Sequence, residues 1–469
     1  MPTLETIAIE HPDYVRLKSA WELMRDSVDG EDDVKRKGTK YLPMKTGTAS
    51  ITNPADRDRV YKLYMTRAEF PEIVAPTIRG AVGVMLAKPA KVDLPPQLES
   101  LREAATSDGL TLDMLHIRIA NELMTTGRYG LLPSIAEDGT PYLAGYTAED
   151  IKNWEGNDYV VLDESGIERN RETGEWETVI KLRECSAYDG VYVSRVYTLD
   201  PAIRAGIGED DVGLLPNRKP LGFMPFVFIG SMDLTPSPDD IPLYGLAKLA
   251  MRIYRMDADF SFSLHMTSEP TPVAIGFDDP ASAIRDGMAP KTLGSSVLWV
   301  LPKGGDAKYL EFSGPGIEKQ AQAIQASYDR AAQYGAQVIS QGQSAESGEA
   351  LRLRAASQTA TLTTIAKTSA AGLEKALRNL AIWVGADPEQ VVVTPNLQFF
   401  DRKLTPQEVL ALVQSWQAGA ISHRTVFDNL QAGGIIPEES TYETEGAQSS
   451  FDEFLPPWAQ QSSAEGAGF

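Results

Sequence analysis

GIEKQAQAIQASYDRAAQYGAQVISQGQSAESGEALRLRAASQTATLTTIAKTSAAGLEKALRNLAIWVGAD, residues 316–387, contains no proline, in a chain that spreads 30 prolines over 469 residues. One short polar loop interrupts it: Gln341-Gly342-Gln343-Ser344-Ala345-Glu346-Ser347-Gly348. Proline breaks helix interiors, so its absence predicts two helices, Ile317 to Ser340 and Glu349 to Val384, with Gly385 and Pro388 as stop signals. At ~1.5 Å per residue they span about 36 Å and about 54 Å. A rod, a small loop and a longer rod make a mechanical part rather than a catalytic pocket.

Upstream, residues 271–312 read as strands: Pro272 to Ile275, Ser296 to Leu301 and Lys308 to Phe312, the last two joined at Gly304-Gly305. A further helix starts near Ile241 with Pro242 in its first turn, and Pro270 and Pro272 end it. Leu246, Leu249, Ala250, Ile253, Met256, Phe260 and Leu264 form its apolar face; Lys248, Arg252, Arg255 and Asp259 occupy another. A β insertion between two helices of similar length closes only if those helices lie side by side and antiparallel. They become a stalk and the insertion becomes its tip. The helix Ile317 to Ser340 is rich in Ala and Gln, and its small side chains admit neighbours on several sides, as in a ring of packed helices. The same composition also serves plain helix propensity, and both readings stand.

The N-terminal part predicts helices over Val60 to Phe70, Ile73 to Leu86 (interrupted at Pro76, Gly80 and Gly83) and Leu110 to Met124. Residues 128–200 switch to period two, with turns at Asp138-Gly139, Thr173-Gly174 and Asp189-Gly190, and predict one antiparallel meander. Phe226 to Ile229 is a short, wholly apolar strand candidate. Near the C-terminus, Thr405-Pro406-Gln407-Glu408 is a capping box opening a helix with Leu410, Val413 and Trp416. Gly419 ends it, and Ser422 caps a second helix with Val426, Phe427 and Leu430. From Pro437 to Phe469 there are seven acids and no Lys or Arg, which predicts an acidic, loosely packed tail.

Such a length calls for more than one lobe. The single cysteine, Cys185, excludes an intrachain disulfide and a cysteine-type zinc site, and suits a reducing cytoplasm. No apolar run is long enough for a membrane helix, and Met1 to Thr6 lacks the pattern of a signal peptide. Net charge is −21, from 65 acidic and 44 basic residues. That balance argues against a protein that grips DNA by neutralising phosphates. It fits ordinary solubility, or a surface that meets DNA without sticking to it, and charge alone does not choose.

No P-loop occurs. Gly206-Ile207-Gly208 lacks the third glycine of a dinucleotide loop, since Asp211 stands there. Gly342 to Glu346 misses the nucleophile elbow at its fifth residue. His11, His116, His265 and His423 are far apart and none has a ligand-like neighbour. Asp29-Gly30-Glu31-Asp32-Asp33 runs into Lys35-Arg36-Lys37 and reads as a solvated charged turn rather than a calcium loop. The C-terminal helix pair is a poor major-groove reader, because its second helix carries one base, Arg424. These readings nominate no enzyme, no metal and no cofactor.

In their order and spacing, several blocks resemble the portal proteins of tailed bacteriophages over nearly the whole chain. They are His11-Pro12-Asp13-Tyr14 with Trp21, Arg25-Asp26, Gly30, Lys35 and Tyr41-Leu42-Pro43; Pro141-Tyr142-Leu143 with Tyr146 to Trp154; Pro225 to Phe228, Leu243 to Tyr254 and Pro270 to Gly276; Ser347 to Leu351; and Gly419 to Ser422 with Thr425. The resemblance implies an α+β portal fold: residues 1–240 a wing, 241–269 and 315–340 an antiparallel two-helix stem, 270–314 a clip, 341–348 a tunnel loop, 349–400 a long kinked helix returning to the wing, and 401–469 a helical crown with its acidic tail. It further implies a ring of about twelve copies at one capsid vertex of a virion, assembled in host cytoplasm, through which double-stranded DNA is packaged and ejected. Gln341, Gly342, Gln343, Ser344, Ala345, Glu346, Ser347 and Gly348 would face DNA. Pro272, Val273, Ile275, Val297, Trp299, Lys303, Lys308, Tyr309 and Phe312 would form the clip surface where the terminase large subunit and later head-completion or adaptor proteins dock. Major capsid and scaffolding proteins are the remaining implied partners, and no membrane is involved. Lys248, Arg252 and Arg255 would either line the channel as basic rings or pair with acids of a neighbouring copy, the second being favoured. Two other classes remain: a helical oligomeric scaffold without a DNA role, and a metal-dependent nuclease or hydrolase with a dispersed acidic site.

Overall fold

The computed structural model describes residues 4–171, 173–199, 206–207, 210–268, 271–276, 278–286, 301–310, 315–339, 348–399, 406–432, 435–436, 440 and 442. It is an α+β protein whose chain divides into two units, Met1–Pro395 and Asn396–Phe469.

Three long helices organise the first unit: α1, Tyr244–Ser268; α2, Pro315–Ile339; and α3, Gly348–Val384. The helix ends read from proline and glycine fall close to these bounds. α1 begins at Tyr244 rather than Ile241, because Pro242 and Leu243 form a turn ahead of it. α3 carries the core. Leu362, Ile365, Ala366, Leu373, Ala376, Leu377 and Leu380 are all buried, at the three-and-four spacing of one helical face. That face packs on helix Leu112–Thr126 and on strands Arg128–Ile135 and Val227–Gly230.

Residues 128–200 do not form one meander. The chain makes two sheets, because Ala148 to Asp150 turns it out of the first. Strand Arg128–Ile135 pairs with Pro141–Thr147 across the Asp138-Gly139 turn, and on its other edge with Val227–Gly230. This three-stranded sheet lies under α3. Ile151–Glu155, Tyr159–Asp163, Trp176–Ser186 and Val193–Leu199 build the second, antiparallel throughout, with Gly166–Arg169 pairing Trp176–Val179. Cys185 is wholly buried there with Tyr192 and Trp154 in one cluster, and burial pushes its thiol up to about 11.

Two other expectations are corrected. Val74–Met85 is a continuous helix through Gly80 and Gly83, buried on one side at Ile78, Ala81, Val82 and Met85, so tertiary packing overrides the glycine penalty. The 29–33 stretch keeps Asp29 and Asp32 exposed to solvent as expected, but it joins two helices instead of forming an open turn. Gly30 takes φ 101, Glu31 Oε2 accepts from Phe70 N at 2.9 Å, and Glu31 Oε1 holds Lys35 at 2.6 Å.

In the second unit, Pro406–Gln417 and His423–Ala432 form the expected helix pair, with Gly419 at φ 71 between them. Ser422 Oγ accepts from Thr425 N at 3.1 Å, as an N-cap should. The capping residue Thr405 and most of the acidic tail lie outside the described residues.

Candidate functional site: a helix pair with a strand-paired tip

α1 and α2 pack against each other and run antiparallel. At one end a Cβ built on Gly245, near the start of α1, would lie 3.8 Å from the Tyr334 ring near the end of α2. At the other end the chain leaves α1 into strand Thr271–Ile275 and returns to α2 from strand Asp306–Leu310. These strands pair antiparallel from Thr271↔Leu310 to Ile275↔Asp306. The pairing brings together the segment that follows α1 and the segment that precedes α2.

The tip turns sharply after its last pair. Gly276 has φ 105, and a Cβ on it would fall 2.6 Å from Gly305 Cα, so two glycines allow the backbones to touch. The residues between the strands include a helical turn, Pro280–Arg285, where only strands were expected. Asp279 caps it. Its side chain accepts from Ser282 Oγ at 2.6 Å and from Ala281 N and Ser282 N at 3.1 and 3.2 Å, and these bonds hold its carboxyl below the usual range. Ile284, 61% exposed, projects from this turn, and Ile275 and Lys303 are also exposed, while Val273 is half-buried. Pro272, Lys308 and Tyr309 sit in the paired strands. Val297, Trp299 and Phe312 lie outside the described residues.

α1 is tied to the N-terminal helices. Tyr64 OH donates to Asp259 Oδ1 at 2.9 Å, Lys45 Nζ meets the same oxygen at 3.2 Å, and Asp257 Oδ2 accepts from Glu69 N at 2.8 Å. Of the three bases on its outer face, Arg255 donates from Nε to the Tyr41 carbonyl at 2.7 Å, so it is already engaged within the chain. Lys248 lies over its own helix's Tyr244 ring, 4.4 Å from the centroid. Arg252 is exposed, with no partner among the described residues. α2 is far more open: Ser327 and Ala331 are buried, whereas Ala323, Ala326, Tyr328 and Tyr334 are exposed. From α2 the chain passes through Ser340 to Ser347, outside the described residues, and Gly348 is the first residue of α3.

Sequence reasoning missed the anchor of the N-terminal unit. Arg128 is buried against the Trp154 and Phe228 rings, 4.1 and 5.1 Å from their centroids, and its Nη1 donates to Pro236 O at 2.9 Å. His11 stacks on Trp154 at 3.9 Å. Burial pulls the guanidinium down to about 9. These residues come from four separate segments, so no local spacing signals them. Among the described residues no His/Cys/Asp/Glu cluster could hold a metal ion, and no helix is long and apolar enough to cross a membrane.

A family model described as a domain of unknown function (DUF4055) matches residues 242–384. That span runs from the first turn of the stalk to the end of α3. No curated protein matches the sequence. Among solved structures, a chain in the neck of a native GTA particle computed with C12 symmetry is 16% identical, covering 76% of this chain and 89% of that one at TM-score 0.40. A chain in the neck of an empty GTA particle computed with C6 symmetry is 15% identical, covering 78% and 94% at TM-score 0.37. Likenesses this distant leave the functional reading to the chain's own geometry.

Proposed function

We propose that this chain is the subunit of a portal-type ring: a DNA conduit at one vertex of a phage-like particle. The observation that carries the reading is the succession of α1, a strand-paired tip, α2 and α3, with the polar sequence 341–347 between the last two helices. Two antiparallel helices closed by a small β tip form a strut. A third helix, rooted by its apolar face in the N-terminal unit, follows the strut after eight residues of chain. The exposed Ala323, Ala326 and Ala332 of α2 support side-by-side packing of copies, because close helix approach needs small side chains. A net charge of −21 per copy supports a lumen that repels phosphate and lets duplex DNA slide.

In this reading the loop 341–348 surrounds DNA, and the tip with Ile275, Ile284 and Lys303 receives the packaging motor and later the head-completion proteins. The energy for transport comes from that partner, and this protein contributes no catalytic group. Measured mass tests the reading. A stable ring of about twelve copies, seen end-on by electron microscopy with a central hole, is expected. A monomer at every salt concentration would overturn it, and a solid assembly without a hole would favour a plain scaffold.

A further inference from the structure

The solvent side of α3 carries a groove of about 300 Å3 where the helix passes the end of strand Val392–Thr394. Ala370 and Ala371 line it between Lys367, Lys375, Arg378 and Glu374. Glu374 is committed within the fold: Oε1 meets Arg378 Nη2 at 3.0 Å and Oε2 accepts from Val393 N at 2.8 Å. Arg378 Nε in turn donates to Val391 O at 3.2 Å. The acid and the arginine neutralise each other and fix the wall. Lys367 and Lys375 are both exposed and have no partner among the described residues. They stand eight residues apart on one helix face, ~12 Å along the axis. α3 as a whole bears five basic and two acidic side chains, against a chain total of −21.

We propose that this groove seats the phosphate backbone of duplex DNA without regard to base sequence. The choice of DNA as the polyanion rests on the conduit reading. Two free ammonium groups are point charges suited to phosphate oxygens. The alanine lining brings a ligand close to the helix but offers no deep apolar pocket, which an acidic protein segment would need for an anchoring side chain. In a chain otherwise dominated by acid, one cationic groove per copy holds DNA at a defined place without making the whole surface adhesive.

The test uses the full chain and a short fluorescent DNA duplex of arbitrary sequence, titrated between about 50 mM and about 200 mM salt. The double variant Lys367→Gln/Lys375→Gln should bind about tenfold more weakly at the lower salt. Its log–log salt slope should fall by about 2, because each phosphate that a lysine neutralises adds ~0.9 to the slope. The charge-retaining Lys367→Arg/Lys375→Arg variant should keep both affinity and slope. Equal duplex binding by wild type and the Gln variant would overturn the proposal. Unchanged duplex binding with abolished binding of a poly-glutamate peptide would overturn it in favour of an acidic protein partner. Ring mass is scored on the same samples: failure to form rings counts against the conduit reading, whereas intact rings with unaltered DNA affinity count against the groove alone.

Discussion

Gly372 of α3 lies directly on Ile229 of the central strand Val227–Gly230, so closely that a Cβ on Gly372 would fall 2.6 Å from the Ile229 side chain. The helix can settle into the sheet here only because the residue has no side chain. Gly372→Ala should therefore destabilise the first unit by about 1–3 kcal/mol, the usual cost of overpacking, despite alanine's better helix propensity. Chemical denaturation checks this, and Ile229→Val in the same chain should recover part of the loss. A stabilised Gly372→Ala protein would show that the packing there is slack.

Arg25 joins three elements. Its guanidinium meets Glu122 Oε2 at 2.5 Å and Glu149 Oε1 at 2.9 Å. Burial alone would raise the Glu149 carboxyl, but the Arg25 hydrogen bond and charge outweigh it and hold the group below its ordinary value. A depressed carboxyl stabilises the fold above its unfolded pKa, and that stability is lost as pH falls through the folded value. Arg25→Met should cost about 2–3 kcal/mol near neutral pH, because two part-buried carboxylates lose their partner. The deficit should shrink in acid as the Glu149 carboxyl protonates, and denaturation at about pH 7 and about pH 4 reads the difference.

His116 is buried between helix Leu112–Thr126 and α3, its Nε2 3.0 Å from Ser369 Oγ, and burial lowers its pKa to about 4. The unfolded imidazole titrates near its ordinary value of 6.5. Between these values the unfolded chain binds the extra proton, so stability falls as pH drops from about 6.5 towards about 4, by up to about 1.4 kcal/mol per unit from this group. His116→Gln should flatten that decline between about pH 6.5 and about pH 5, above most of the carboxylate range. An unchanged slope in the variant would assign the loss to other groups.

Deleting Gln341 to Ser347 should leave ring assembly intact and impair DNA packaging or retention, since α2 and α3 each have their own packing in the unit. Particle assembly with the deleted protein checks both halves. Rings that fail to form would make the segment a structural connector rather than a DNA-facing loop.

The helical path was largely legible in the sequence, because proline placement and apolar spacing are local signals. Both helix ends around the polar loop fall within two residues of expectation. The start of α1 was missed because Pro242 suits a turn as well as a first helical position. The turn of helix at Pro280–Arg285 is too short for a periodic signal. The split of residues 128–200 into two sheets at Ala148 to Asp150 carries no glycine or proline signal, and the first sheet's third strand, Val227–Gly230, pairs across nearly a hundred residues of chain. The groove on α3 shows the same division. Its lysines are visible at i and i+8, but its wall is completed by Val393, which Glu374 holds through a backbone bond nineteen residues along the chain.

The chain's single cysteine has a practical corollary. Cys185 is sealed in the core with its thiol raised to about 11, so a maleimide added to the folded protein meets no reactive sulfur. A cysteine substituted at Ile284, out on the tip, would be the sole addressable thiol in each copy. The number of dyes per assembled particle, counted by stepwise photobleaching, then equals the number of copies in it.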